Sequence, residues 1–235
     1  MKSLATLAVV SIFTLSLGSS LLADEPFNGK DLTGWKFKSK GKTEPKWQVG
    51  VPVLDKSNPK ALALAPGGNS ADLGLVNVVA GHGQSIDIYS EAKWGSCHIE
   101  LEVLVAQGAN SGIYVMGEYE VQVLDSYGKD KLGGGDMGAI YGAQPPRTNA
   151  CKKPGQWQKY EIDIVAPKFN AEGKKTANAK FLVVKLNGKI LHEDVEMKGP
   201  TPSGVTGKEA ATGPIMFQGD HGPVAFRNIK ITPVK

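Results

Sequence analysis

The sequence predicts an all-β protein, a two-layer sandwich of antiparallel sheets, and three observations carry that expectation. The stretch Cys97 to Val105 alternates apolar residues at odd positions with mostly polar ones at even positions, the period of a half-buried strand. The 235-residue chain is punctuated by 29 glycines and 14 prolines, which supply many turns and favour β structure over helix bundles. Helical periodicity is almost absent. A chain of this length fits one domain that buries roughly 70% of its unfolded surface without needing disulfides or a metal to fold.

The elements follow in order. Met1-Lys2 is a short positive start, Leu4 to Leu22 is apolar and uncharged, and Ala23 precedes Asp24-Glu25-Pro26. This pattern reads as a secretory signal peptide over residues 1–23, cleaved after Ala23, leaving one domain over residues 24–235. A membrane anchor is the competing reading, and the serines and threonines within the segment weigh against it. The mature protein is therefore expected to be exported, periplasmic or secreted, with no membrane contact after cleavage. At 41% hydrophobic and 21% charged residues, disorder is excluded. The net charge of +4 includes no long run of like charges, which argues against nucleic acid as a partner.

After Cys97–Val105 come a turn at Gly108–Gly112 and strands at Ile113–Met116 and Tyr119–Leu124. Gln158–Val165 alternates with Tyr160, Ile162 and Ile164 on one face. Phe181–Leu186, Asn187-Gly188 and Lys189–Val195 form the strongest hairpin signal, and Ile215–Phe217 and Val224–Ile231 make a final pair. Lys168–Lys180 and Lys198–Thr212 read as loops. Cys97 shares parity with the core-facing residues of its strand, whereas Cys151 sits in a polar loop; both read as structural, and export permits a bridge between them.

Glu118, Glu120 and Gln122 share one strand face, with Val121 and Val123 opposite. Acids in this pattern often mark a solvated surface. Here the flanking Ser111-Gly112-Ile113-Tyr114 and Asp125-Ser126-Tyr127-Gly128 suit a concave sugar site. The loop Tyr141 to Asn149 joins two stiffening prolines to Tyr141, Gln144, Arg147 and Asn149, a mixture suited to hydroxyl-rich ligands, and Lys153 and Trp157 follow on the same edge. Gly133–Gly138 lacks the helix and lysine of a phosphate loop and reads as a flexible loop. Among the histidines, His192 reads as solvated, while His221 has Asp220 beside it, an arrangement that fixes a tautomer and raises basicity. No histidine pair has metal-ligand spacing, so no cofactor is indicated; a divalent metal assembled from distant positions stays open.

Several blocks together carry a family resemblance. They are Phe27 to Trp35; Asn110-Ser111-Gly112-Ile113-Tyr114; Glu118 to Ser126; Gly138 to Gly142 with Pro145-Pro146; Asn149; Lys153-Pro154-Gly155; Trp157-Gln158; Asp220-His221-Gly222; and Phe226-Arg227-Asn228-Ile229. In this order the chain resembles the 3-keto-disaccharide hydrolase family over essentially its whole mature length. The resemblance implies a concanavalin A-like jelly-roll sandwich, export, and a carbohydrate substrate already oxidised at C3, supplied by a sugar 3-dehydrogenase. Two positions depart from the family pattern: Met116 stands where relatives often carry arginine, and Gly219 is inserted before Asp220-His221-Gly222.

A C3 ketone acidifies the C2 proton, so a base removes it and expels the C1 oxygen; water then adds back. Such a route needs a base, an acid and donors to the enolate. Glu120 and the His221–Asp220 pair are the candidate catalytic groups. The candidate substrate-binding residues are Glu118, Gln122, Asp125, Tyr141, Arg147, Asn149, Lys153, Trp157, Gln218 and Arg227. Arg227 also has a purely structural reading, pairing with an acid inside the sandwich. Two other functions compete: a non-catalytic carbohydrate-binding module, and a retaining glycosidase with Glu118 or Glu120 as nucleophile.

Overall fold

A computed structural model describes residues 22–39, 41–79 and 81–234. The hydrophobic stretch of the expected signal peptide lies outside the described residues, apart from Leu22. The body is an antiparallel sandwich with one short 3-10 turn at Ser70–Asp72, and the expected concanavalin A-like architecture is found.

Five strands form the smaller sheet: β1 (Trp35–Phe37), β5 (Ile88–Ser90), β14 (Met216–Phe217), β7 (Asn110–Val115) and β8 (Tyr119–Leu124), in that spatial order. The larger sheet runs β13 (Lys189–Met197), β12 (Ala179–Leu186), β9 (Gln158–Val165), β6 (Cys97–Val105), β15 (Val224–Pro233), β4 (Gly74–Asn77), β2 (Trp47–Leu54) and β3 (Leu62–Ala65). A two-stranded ribbon, β10 (Lys168–Phe169) with β11 (Lys175–Ala177), occupies a segment expected to be loop.

The inner faces meet at Phe217 and Phe226, whose rings stack 3.8 Å apart, with Trp35 against Phe217 and Trp47 against Phe226. Truncating such a buried aromatic costs about 3–5 kcal/mol. Cys97, Ile99, Leu101 and Val103 of β6 face this core as their parity predicted, and both cysteines are free.

The strands that sequence reading passed over lie mostly before residue 95, and β2 shows why. Gly50 and Pro52 interrupt its pattern, but β2 changes partner between them: Trp47–Gly50 pair with β4 and Val51–Leu54 with β3. Pro52 therefore sits where only one neighbour exists and its missing N–H is tolerated.

His192 is a correction. It is buried at 0% exposure, not solvated, and its Nε2 donates to the Gly138 carbonyl at 2.8 Å. The cause is a register shift: Val184 pairs with His192 but Lys185 with Ile190, so Leu191 is extra and both Leu191 and His192 turn inward.

Candidate active site

The outer face of the five-stranded sheet carries the candidate acids Glu118 and Glu120. On β8, Tyr119, Val121 and Val123 point into the core, which forces Glu118, Glu120 and Gln122 outward. Glu118 is 4% exposed, Glu120 4% and Gln122 5%, so the face is covered. The cover is the loop from Thr201 to Glu209, read from sequence only as a connector.

The two acids end in different places. Glu118 Oε1 accepts from the Thr206 amide (2.8 Å) and hydroxyl (2.7 Å), and Oε2 from the Gly207 amide (3.0 Å). The Glu118 carbonyl accepts from the Thr201 amide, and Gly204 packs so closely that any Cβ would strike the Glu118 carboxylate. Glu118 is a clasp for the covering loop. It does not line the cavity beside it.

Glu120 does line that cavity, a space of about 160 Å³ walled by Asn110, Tyr114, Gln122, Tyr141, Ser203 and His221, among others. The register of β7 with β8 sets Tyr114 directly opposite Glu120 and Gly112 opposite Gln122. A side chain at Gly112 would collide with Glu120 Oε1, so glycine there is what admits the carboxylate. Burial pushes the Glu120 carboxyl up to about 7; the Tyr114 hydrogen bond and His221 oppose the shift, and Asp87 and Asp220 add to it.

Tyr114 Oη lies 3.0 Å from Glu120 Oε2 and 3.0 Å from the Pro202 carbonyl. Burial, and then the Glu120 charge, hold Tyr114 well above the ordinary phenol range, so its single proton stays on the oxygen. With Glu120 ionised, that proton goes to the carboxylate. With Glu120 protonated, the carboxyl donates to Tyr114 and the tyrosine turns its proton to Pro202. The pair can thus gain or release a proton without orphaning a buried group.

On the other wall, His221 Nδ1 is bonded to the buried Asp220 carboxylate, which selects the Nδ1–H tautomer and leaves Nε2 as the basic nitrogen. The exposed His82 ring meets His221 edge to face at 4.4 Å. The inserted Gly219 is built into this loop: its amide donates to Asp87 (2.9 Å), its carbonyl accepts from Asn77 (2.7 Å), and a Cβ would strike the Ile86 carbonyl. Gln218 lines the same cavity. Gln122 accepts from the Val123 amide at its Oε1 (3.1 Å) and lines the same cavity.

The other sequence candidates lie elsewhere. Asp125 accepts from the Gly108 and Tyr127 amides and braces the β6–β7 turn. Asn149 donates to the Ser126 and Lys129 carbonyls. Arg147 pairs with Glu193, and the Lys153 ammonium sits 5.8 Å from the Tyr127 ring centre. Arg227 stacks 4.1 Å over Trp157 and bonds Glu102 at 2.8 Å. Because Phe226 faces the core, Arg227 faces outward from the large sheet, across the sandwich from the cavity. Met116 is buried in the β7–β8 turn with φ 54°, Gly117 following at 74°, so the departure at Met116 falls outside the cavity lining. Gly133–Gly138, expected to be flexible, is pinned by Asp136, which accepts from the Gly133 amide and from Ser126.

Sequence reading missed Tyr114, Asn110, Pro202 and Ser203 as wall residues. Tyr114 had a signal, since a tight turn at Met116-Gly117 sets it across from Glu120; Pro202 and Ser203 had none. Among the described residues no cluster of three or more His, Cys, Asp or Glu side chains is arranged to hold a metal ion, and no helix is long and apolar enough to cross a membrane.

With this geometry in hand, comparison places the chain. A family model described as the 3-keto-alpha-glucoside-1,2-lyase-like domain matches residues 23–232. A candidate glycosyl hydrolase from Parabacteroides distasonis is similar at 30% identity and TM-score 0.66, over 90% of this chain and 84% of that one. A second candidate glycosyl hydrolase from the same organism shares the fold at 20% identity and TM-score 0.57, over 91% of this chain and 94% of its own. No curated protein matches the chain.

Proposed function

The chain belongs to the family of 3-keto-alpha-glucoside-1,2-lyase-like domains, a carbohydrate-processing group, and from that premise we propose that it is an exported enzyme cleaving 3-keto-glycosides by elimination and hydration. The observation that carries this reading is Glu120: a buried carboxyl raised to about 7, hydrogen-bonded to Tyr114 and facing a cavity sized for one sugar ring.

Glu120 removes the C2 proton, which the neighbouring ketone acidifies. The electron pair moves into the enolate and then expels the C1 oxygen, leaving a C1–C2 double bond conjugated with the ketone. His221, entering the step as an imidazolium with its Nδ1–H held by Asp220, delivers its Nε2 proton to the departing oxygen. The amides of Gln122 and Gln218 supply donors to the enolate oxygen. Water then adds at C1 and gives a proton back to His221, while Glu120, whose own proton exchanges with solvent before it is used, protonates C2. The net reaction is hydrolysis without an oxocarbenium ion. A base with pKa near the working pH is the one that serves both half-reactions. The retaining-glycosidase alternative loses support because its second carboxyl, Glu118, is spent on Thr206 and Gly207.

The reading needs a sugar 3-dehydrogenase upstream to make the ketone. Export is part of the same proposal and rests on the sequence, where the apolar, uncharged stretch from Leu4 to Leu22 ends at Ala23. N-terminal sequencing of the protein from cell fractions checks it. The function is tested by following aglycone release from a 3-keto-glucoside and from its unoxidised parent, with and without chelator. Release from the keto form alone is expected; equal release from the parent would overturn the proposal.

A further inference from the structure

The cavity around Glu120 is small. At about 160 Å³ it has the volume of five or six liquid waters, room for one sugar ring. Whatever leaves from C1 must lie outside it, and the sheet offers two directions. Towards β5, the next space is about 180 Å³, lined by Lys38, Asp87 and Asp220, and Lys38 crosses it to bond the Ser203 carbonyl at 2.6 Å. Past the outer edge of β8, beyond the Gly138–Tyr141 segment bonded to it, lies a hollow of about 510 Å³, which shares Tyr141 and Pro202 with the Glu120 cavity. A volume of this size is in the range of specific ligand sites.

We propose that this hollow, between Tyr141–Gln144 and Asp194–Pro202, is a leaving-group subsite for a second pyranose ring, with Tyr141 as its stacking platform. The proposal rests on the reading of Glu120 as the reacting centre. Tyr141 is the hinge of the argument. Its amide donates to the Glu120 carbonyl at 3.0 Å, so its backbone is fixed to the catalytic strand, yet its side chain is left 41% exposed. An aromatic residue anchored through its backbone and exposed beyond it suits the apolar face of a sugar. Pro200 adds exposed apolar surface with the buried Val195 and Met197 beneath it, and Gln144 and Lys198 bring hydrogen-bond donors to the rim, the pairing of apolar floor and polar edge that a hydroxyl-rich ring requires. The hollow is walled by the edge strand β13 as well as by the loop after β8, so both sheets help to form it.

Binding, measured apart from turnover, tests the subsite. Calorimetric titration of the protein with an unoxidised glucosyl disaccharide and with methyl glucoside is expected to give at least tenfold tighter binding for the disaccharide. Tyr141→Ala should remove most of that gain, and Ala143→Trp, an exposed position where a large ring fills the hollow, should remove it without altering methyl glucoside binding. No difference between the two ligands, or a difference that survives both variants, would overturn the subsite even if keto-glycoside turnover is intact. Loss of keto-glycoside turnover with the binding gain present would instead sink the reaction assignment and leave the subsite standing.

Discussion

Glu118 and Glu120 are two residues apart on the same face of one strand, equally buried, and opposite in use. Glu118 is saturated by two backbone amides and a hydroxyl from the covering loop. Glu120 receives one hydroxyl, from a tyrosine that has a second acceptor to turn to, and burial leaves it near pKa 7. Burial alone therefore does not make a catalytic acid. What separates the two is how many donors reach the carboxylate: three at Glu118 and one at Glu120.

The largest test of this contrast is activity. Glu120→Gln should reduce kcat on the keto substrate by roughly 10²- to 10⁴-fold, the span of general acid–base catalysis. Glu118→Gln should reduce kcat/KM only about tenfold, through looser placement of Pro202 and Ser203.

Stability should separate them with opposite signs. The folded pKa of Glu120 is raised from 4.5 to about 7, so its contribution to stability is fully present below pH 4.5 and is lost as pH rises through 7. The loss is on the order of 3 kcal/mol at 1.36 kcal/mol per unit. Glu120→Gln, neutral throughout, should thus raise the melting temperature relative to wild type at pH 8 and change it little at pH 4. Glu118→Gln should lower stability by about 1–3 kcal/mol, since charged hydrogen bonds are broken. A thermal scan of both variants at the two pH values decides it; a drop for both at pH 8 would erase the distinction.

Tyr114→Phe sharpens the picture further. The Tyr114 hydrogen bond lowers the Glu120 pKa, so its removal should push the lower limb of the kcat/KM profile from near pH 7 to higher pH. An unmoved limb would separate Tyr114 from the titrating group. The smallest effect belongs to Arg227→Ala, across the sandwich, where keto-glycoside kinetics should stay within about twofold.

The sandwich was legible wherever strands alternate cleanly, as β6, β8 and β9 do, because one face meets the core and the other meets water. It was illegible where a strand changes partners, as at Gly50 and Pro52, or bulges, as at Leu191. The site divided in the same way. Strand parity placed Glu120 and Gln122 on one face, and the Asp220–His221 adjacency survived into the structure as a hydrogen bond. Parity could not separate Glu118 from Glu120, since that depends on a loop more than 80 residues later. Arg227, Asn149 and Arg147 have the chemistry of sugar contacts, but their partners are Glu102, the Ser126 carbonyl and Glu193, all long-range in sequence.

The most direct measurement follows the proton itself: exchange of the C2 hydrogen of a 3-keto-glucoside with D2O, beside aglycone release, for wild type, Glu118→Gln and Glu120→Gln. Deuterium should enter C2 of the released keto-sugar with wild type and with Glu118→Gln, and both exchange and release should collapse with Glu120→Gln. Exchange that persists without Glu120, or release with no deuterium at C2, would contradict the account.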